Sequence, residues 1–268
     1  MPLLAIVLIL AVLQGLTEYL PVSSSGHLVL GKHFLPGGEQ LAADASLEVL
    51  LHLGTLMSVL VFYRKRIFTI ARGFFGHGFD VAEHRRLVGM MFVASIPAGV
   101  IGLSLEGQID HLFATPLPAA VALLFTGCVL WYAKRLRVDG DDLNQLTWKG
   151  AFLIGCLQAF AILPGISRSG MTIVTGLRLG LSAENAAAFS FLISIPAIMG
   201  AGLVKLGDVD SMAGMGGLEI SLALATSFLV GLAALGLLVW ITRQRKLHLF
   251  APYCWILGLV ALAASLLR

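Results

Sequence analysis

The chain has 268 residues, of which 58% are hydrophobic and only 12% charged, and its mean hydropathy is +0.91. A soluble domain of this size cannot hide that much apolar side chain, so composition excludes an ordinary soluble protein and points to an integral membrane one. The net charge of +3 is small and its basic residues sit in short loops, which argues against a nucleic-acid partner.

The first apolar region, about Pro2–Leu35, has no charged leader and no small-residue cleavage site. It is read as part of the fold and not as a signal peptide. Its middle is broken by "LPVSSSGH" from Leu20. A spanning helix needs about 20 apolar residues. Three such stretches follow: Ala45–Tyr63, Leu87–Leu105 and Leu117–Ala133. A second broken region, Leu146–Leu179, is interrupted by "LPGISRSG", and three more spans close the chain: Ala183–Val204, Leu218–Ile241 and Leu247–Leu267. The expected fold is all-α, a polytopic membrane protein with six transmembrane helices plus two re-entrant helical hairpins. Cys128, Cys156 and Cys254 lie far apart in apolar segments. They suggest small buried hydrophobes and neither a disulfide framework nor a metal site. Trp131, Tyr132, Tyr253 and Trp255 suit interfacial belts.

Basic loops fix an orientation. Arg64, Lys65, Arg66, Arg72, Arg85 and Arg86 form one cluster; Lys134, Arg135, Arg137 and Lys149 form another; Arg243, Arg245 and Lys246 form a third. The loops around Glu106–Asp110 and Asp208–Asp210 are acidic. By the positive-inside rule the basic loops are cytoplasmic. The segment Gly37–Asp44 and both termini then lie outside, and the two broken regions enter the bilayer from opposite faces.

The broken regions also resemble each other. "LQGLTEYLPVSSSGH" from Leu13 and "LQAFAILPGISRSGM" from Leu157 share Leu-Gln, Leu-Pro and Ser-x-Ser-Gly in the same order. The starts at Ser46 and Ser182 share Ser-x-Glu. This predicts a duplication, one repeat over about 1–135 with its hairpin at 2–35 and a second over about 146–268 with its hairpin at 146–179. Opposite entry makes it an inverted-topology repeat, an arrangement whose binding sites lie near the midplane. Irregular backbone survives at that depth only when buried in protein or lining a wet cavity. The two hairpin tips are therefore expected to meet.

Polar residues in the bilayer are costly and so are functional candidates. The first tip carries Gln14, Glu18, Ser23, Ser24, Ser25 and His27; the second carries Ser167, Arg168, Ser169, Gly170 and Thr172. Arg168 among hydroxyls at a helix start suits phosphate oxygens, or else pairs with Glu18 in a buried ion pair. Gln14 and Glu18, four apart on one helix face, suit a hard divalent ion bridging to phosphate; Glu18 alone suits acid–base work. His27 and Ser24 offer a base and a nucleophile, while some of Ser23, Ser24 and Ser25 serve only as turn hydroxyls. Ser182 with Glu184, and Ser46 with Glu48, read as helix starts. His52, alone on an apolar helix, reads as a hydrogen-bonded residue without a role.

"QGLTEYLPVSSSGH" and "PGISRSGMT" together resemble the two signature motifs of the undecaprenyl-diphosphate phosphatase family, the bacitracin-resistance membrane proteins, over essentially the whole chain. The resemblance implies hydrolysis of undecaprenyl diphosphate to the monophosphate and inorganic phosphate, which recycles the lipid carrier for cell-wall polymers. It implies catalytic roles for Glu18, Ser24, His27 and Arg168. It also carries functional positions at Gln14, Ser167 and Thr172; with these last two, Ser23, Ser25, Ser169 and Gly170 are expected to contact substrate from their place in the tips. A divalent cation, Mg2+ or Ca2+, would sit at Gln14 and Glu18, where Gln14 is the less acidic of the residues the family places there. The implied partners are a polyprenyl diphosphate lipid and the bilayer, with a homodimer compatible. The implied location is the bacterial inner membrane, with the site opening to the outer side.

Two rival readings share these features. A lipid-phosphate or anion transporter would show the same inverted repeat. A lipid phosphatase of the acid-phosphatase type would share "SGH" at Ser25–His27, but needs a histidine six residues after its Ser-Arg, where this chain has Val174.

Overall fold

The computed structural model describes residues 3–34, 45–77, 80–105, 115–136, 139–140, 142–205 and 216–267. The loops expected at Gly37–Asp44, Glu106–Asp110 and Asp208–Asp210 lie outside the described residues. Those residues hold eleven α-helices: α1 Leu3–Tyr19, α2 Ser24–Phe34, α3 Ala45–Phe62, α4 Arg64–Phe74, α5 Val81–Ser104, α6 Pro116–Tyr132, α7 Trp148–Phe160, α8 Arg168–Arg178, α9 Ala183–Lys205, α10 Gly217–Arg243 and α11 Phe250–Leu266.

Five helical stretches are each long and apolar enough to cross a bilayer: Val81–Ser104, Pro116–Arg135, Ala183–Gly200, Gly217–Arg243 and Leu247–Leu266. Leu47–Phe62 meets the same measure only together with Arg64–Phe74, from which it is bent by 74°. Many of their apolar side chains, such as Phe92, Val100, Leu103, Leu229 and Val260, are exposed, as lipid-facing residues are. The chain is a multi-pass membrane protein.

One expected loop is helical instead. The stretch after Tyr63 forms α4, and α5 starts at Val81, six residues before the expected span. Arg64, Lys65, Arg66 and Arg72 lower the hydropathy of α4, so it does not read as an apolar run. Yet Ile70 and Gly73 are buried, with Gly73 seated on the His84 side chain of α5. Charge on one face of an amphipathic helix does not prevent the other from packing. The cysteines also differ from expectation, since Cys254 is buried but Cys128 is exposed.

The packing pairs are regular. Helix α6 packs along α11, and α3 along α10 and more lightly along α9; α1 packs on α10 as α7 packs on α5. The last two crossings are held close by small residues. A Cβ on Gly15 would lie 2.8 Å from Val230 Cβ, and one on Gly155 would lie 2.4 Å from the Ala94 carbonyl. Helices that lack a hydrophobic driving force between them associate through such close backbone contact. The central core gathers Tyr19, Val59, Ile173, Phe189, Phe191 and Leu235. Tyr19 packs edge-on against Phe191 and spends its hydroxyl on the Thr55 carbonyl and Ser58 Oγ.

Candidate active site

Helices α1 and α2 form one helical hairpin and α7 and α8 another, and their tips touch. At each tip a serine caps the second helix in the same way. Ser23 Oγ accepts from Gly26 N–H at 3.2 Å and lies 3.2 Å from Ser25 Oγ. Ser167 Oγ accepts from Gly170 N–H at 3.0 Å and lies 3.2 Å from Ser169 Oγ. These caps satisfy amides that a helix start leaves without partners. Ser23 Oγ also accepts from Gly165 N–H at 3.1 Å, which stitches one tip to the other. A Cβ on Gly26 would sit 2.8 Å from Gly165 Cα, and Gly165 itself has a φ of +94°. Only glycine takes that turn without strain at so close a junction. Thr126 of α6 completes the stitch, donating to the Gly165 carbonyl at 2.8 Å and accepting from Ser167 N–H at 3.1 Å.

The caps leave Ser24 and Arg168 as the first residues of α2 and α8. Both turn toward Glu18, at the end of α1. Arg168 Nη2 donates to Glu18 Oε1 at 2.7 Å. Ser24 Oγ donates to Oε2 at 2.7 Å, and Gln14 Nε2 donates to the same oxygen at 3.0 Å. Glu18 is 6% exposed. Burying a carboxylate is costly unless it is paired, and Arg168 supplies the opposite charge. Arg168 Nη1 is buried and has no hydrogen-bond partner among the described residues.

These three side chains line one end of a cavity of about 500 Å³, whose walls come from α3, α5, α7 and α9. Ser23, Ser25 and Ser167 reach it as well. Small residues leave the room: Ala98, Gly99 and Gly102 of α5, and Ala197, Gly200 and Gly202 of α9. Both helices carry an internal proline, Pro97 and Pro196, within a shared "SIPA". Each removes a helical hydrogen bond from its element.

Other sequence-derived candidates fall elsewhere. His27 does not line the cavity. Its Nδ1 lies 2.7 Å from the Ser23 carbonyl and its Nε2 2.7 Å from Tyr253 Oη, with the two rings stacked. One turn of α2 separates it from Ser24, and α11 supplies its partner on the far side. A histidine whose two nitrogens are engaged this way braces the tip. Tyr253, expected in an interfacial belt, is that brace's other half. Ser169, Gly170 and Thr172 also stay outside the cavity. Thr172 Oγ1 donates to the Arg168 carbonyl at 2.8 Å and contacts Ser190 Oγ at 2.6 Å, fixing the start of α8.

Two residues without an expected role do line it. His52 on α3 places Nε2 3.7 Å from Glu18 Oε2, its Nδ1 being 2.8 Å from the Glu48 carbonyl. Its signal was present in the sequence as "SLEVLLH", where Glu48 and His52 share a helix face. Lys32 pairs with Glu48 at 2.7 Å beside it. The other is Gln158.

A hard divalent ion wants several oxygen ligands around it. Around Glu18 the protein offers one carboxylate, whose two oxygens already serve Arg168, Ser24 and Gln14. Gln14 turns its nitrogen to Glu18 and does not reach the cavity, and its Oε1 has no partner among the described residues. These residues do not by themselves make a resident metal cage.

A family model described as bacitracin resistance protein BacA matches residues 7–260. The chain belongs to this family. Similar curated proteins carry the name undecaprenyl-diphosphatase. One from Desulfosudis oleivorans is 43% identical over 268 residues, covering 95% of this chain and 96% of the relative. One from Syntrophotalea carbinolica is 41% identical over 261 residues, with 96% and 97% covered. One from Methanobrevibacter smithii is 39% identical over 271 residues, with 97% and 96% covered. The BacA-family resemblance read from the two tip motifs thus extends along the whole chain.

Proposed function

We propose that this BacA-family protein hydrolyses undecaprenyl diphosphate to undecaprenyl phosphate and inorganic phosphate. The observation that carries the reading is Ser24 Oγ at 2.7 Å from Glu18 Oε2, while Arg168 grips the other oxygen and keeps Nη1 free at the cavity. A hydroxyl donating to a carboxylate is a nucleophile with its base. A guanidinium with an unused nitrogen is a ready partner for a phosphate oxygen.

In the first step Glu18 takes the proton of Ser24 as Oγ bonds to the terminal phosphorus. The bond from that phosphorus to the bridging oxygen breaks, and the lipid monophosphate leaves as its anion. Arg168 balances the charge that builds on the transferred group. In the second step water adds to the phosphoserine, the proton held by Glu18 returns to Ser24 Oγ, and inorganic phosphate is released. Ser24 is the nucleophile in this reading because His27 faces Tyr253 instead of the cavity. Ser23, Ser25 and Ser167 shape the phosphate end; Ser169, Gly170 and Thr172 hold α8 in place. Gln14 and Glu18 do not by themselves hold a resident ion; a Mg2+ or Ca2+ accompanying the diphosphate would supply charge neutralisation.

The six-span, two-hairpin reading keeps its inverted repeat over about 1–135 and 146–268, one hairpin in each. Supporting it are the matched tip caps and the exchange of pairs, α1 on α10 and α7 on α5, about the self-paired α6–α11 and α3–α9. The cavity draws on Glu48 near the start of α3 and on Gly99 and Gly200 late in α5 and α9. Arg64, Arg85 and Arg86 lie at the other ends of α3 and α5, and Arg243 of α10 pairs with Glu184 at the other end of α9. With basic loops inside, the site opens to the outer face of the inner membrane. The isoprenoid tail remains among the apolar walls.

The test is release of inorganic phosphate from undecaprenyl diphosphate by detergent-purified protein, with and without Mg2+ or Ca2+. Detergent removes compartments, so a carrier releases nothing. Release by the wild type supports the enzyme; no release under any divalent ion contradicts it and favours the transporter.

A further inference from the structure

Gln158, on α7, is 3% exposed and lines the cavity, yet neither Nε2 nor Oε1 has a hydrogen-bond partner among the described residues. Burying an unpaired amide is costly, so a native structure rarely keeps one without a use. The repeat explains how it arose. Gln14 and Gln158 hold the same place in "LQGLTE" and "LQAFAI". One helical turn later the first repeat has Glu18, which accepts from Gln14 at 3.0 Å. The second repeat has Ile162 there, an apolar residue that also lines the cavity. Without a carboxylate there, the buried amide has no such local partner, in a residue that lines the cavity.

Ala161, Ile162, Pro196 and Ile198, which line the same cavity, have no side-chain acceptor to offer. The other buried donor left open at this cavity is Arg168 Nη1. Two unpaired donors in one apolar-walled space call for a ligand rich in acceptor oxygens and spread over more than one group. A diphosphate is such a ligand. A neutral amide also holds an oxygen without a full ion pair, so it does not trap a charged product.

We infer that Gln158 is a substrate-positioning residue, its amide donating to an oxygen of the bound diphosphate as a second anchor beside Arg168. The inference rests on the proposed hydrolysis for its choice of ligand, but it concerns binding and can be tested apart from turnover.

Gln158→Leu keeps the side-chain size and removes both polar atoms. The probe is a short-chain isoprenoid methylenediphosphonate, which cannot be hydrolysed. Without it, the variant's thermal midpoint in detergent should equal or exceed that of the wild type, because no orphan amide is then buried. With it, the wild type should be stabilised and the variant much less so. In turnover, KM for the lipid diphosphate should rise about 10- to 100-fold with a smaller change in kcat, the range for a lost hydrogen bond to a charged group. Gln158→Glu, isosteric but anionic, should bind the probe more weakly than the leucine variant.

An unchanged KM and an unchanged probe shift in Gln158→Leu would overturn the inference. So would a lowered midpoint with wild-type kinetics in the folded fraction, which is a structural role, or a wild type that the probe does not stabilise. A wild type that binds the probe through Gln158 but releases no phosphate would contradict the proposed hydrolysis and leave this inference standing.

Discussion

The two hairpin tips are built alike and equipped differently. Ser23 and Ser167 cap their helices with the same bonds, to Gly26 and Gly170 three residues on. The next residue is Ser24 in one tip and Arg168 in the other. One turn after the shared glutamine stands Glu18 in one tip and Ile162 in the other. The two helix starts converge on one cavity, and in the proposed reaction the hydroxyl and its base come from the first tip and the anion-binding cation from the second. Neither half can perform the proposed reaction alone.

Arg168→Ala should disturb this division most. It removes the anion-binding group and leaves Glu18 buried without its cation. Phosphate release should fall by about 10²- to 10³-fold, the range seen when a transition-state donor is lost. The thermal midpoint should fall too, since breaking a buried pair costs about 3–5 kcal/mol. Arg168→Lys should recover part of the stability and little of the rate, because the fork geometry is gone.

Glu18→Gln keeps the shape and removes the base. Activity should fall by about 10²-fold or more, within the usual contribution of a general base. A rate within threefold of wild type would remove Glu18 from the base role.

The caps test the likeness of the tips. Ser167→Ala should lower stability by about 1 kcal/mol, the common cost of a lost N-cap. Ser23→Ala should cost more, because Ser23 also accepts from Gly165 across the junction. Thermal denaturation in detergent measures both. Equal losses would mean that the bond between the tips contributes nothing.

Tyr253→Phe should do least. It removes the hydroxyl that lies 2.7 Å from His27 Nε2, at a cost of about 1 kcal/mol for a net hydrogen bond. Phosphate release should stay within about threefold if His27 only braces the tip, since a lost general base costs 10²-fold or more. A much larger fall would return His27 to the chemistry.

Much of this arrangement was legible in the residues. Long apolar runs gave the helices, and prolines with serines gave the breaks. The shared Leu-Gln, Leu-Pro and Ser-x-Ser-Gly foretold that two similar tips would meet. Helix α4 was not legible as a span, because it is short and its arginines and lysine keep its hydropathy low, although its amphipathic period stands in the residues. His27 was a candidate because it lies close to Ser24 and Glu18 in sequence. In α2, Ser24 faces Glu18 while His27 faces Tyr253 of α11. Gln158 was written in the repeat, but its meaning needed the cavity. A missing partner is visible only once all neighbours are in place.

The central claim is that Ser24, activated by Glu18, attacks the phosphorus. Its most direct test is the rate of phosphate release from undecaprenyl diphosphate by detergent-purified Ser24→Ala, measured beside the wild type with thermal midpoints for both. The rate should be at least about 10³-fold lower, a loss of more than about 4 kcal/mol of transition-state stabilisation, with the midpoint little changed. A Ser24→Ala protein that keeps a tenth of the wild-type rate would contradict it and assign the attack to water.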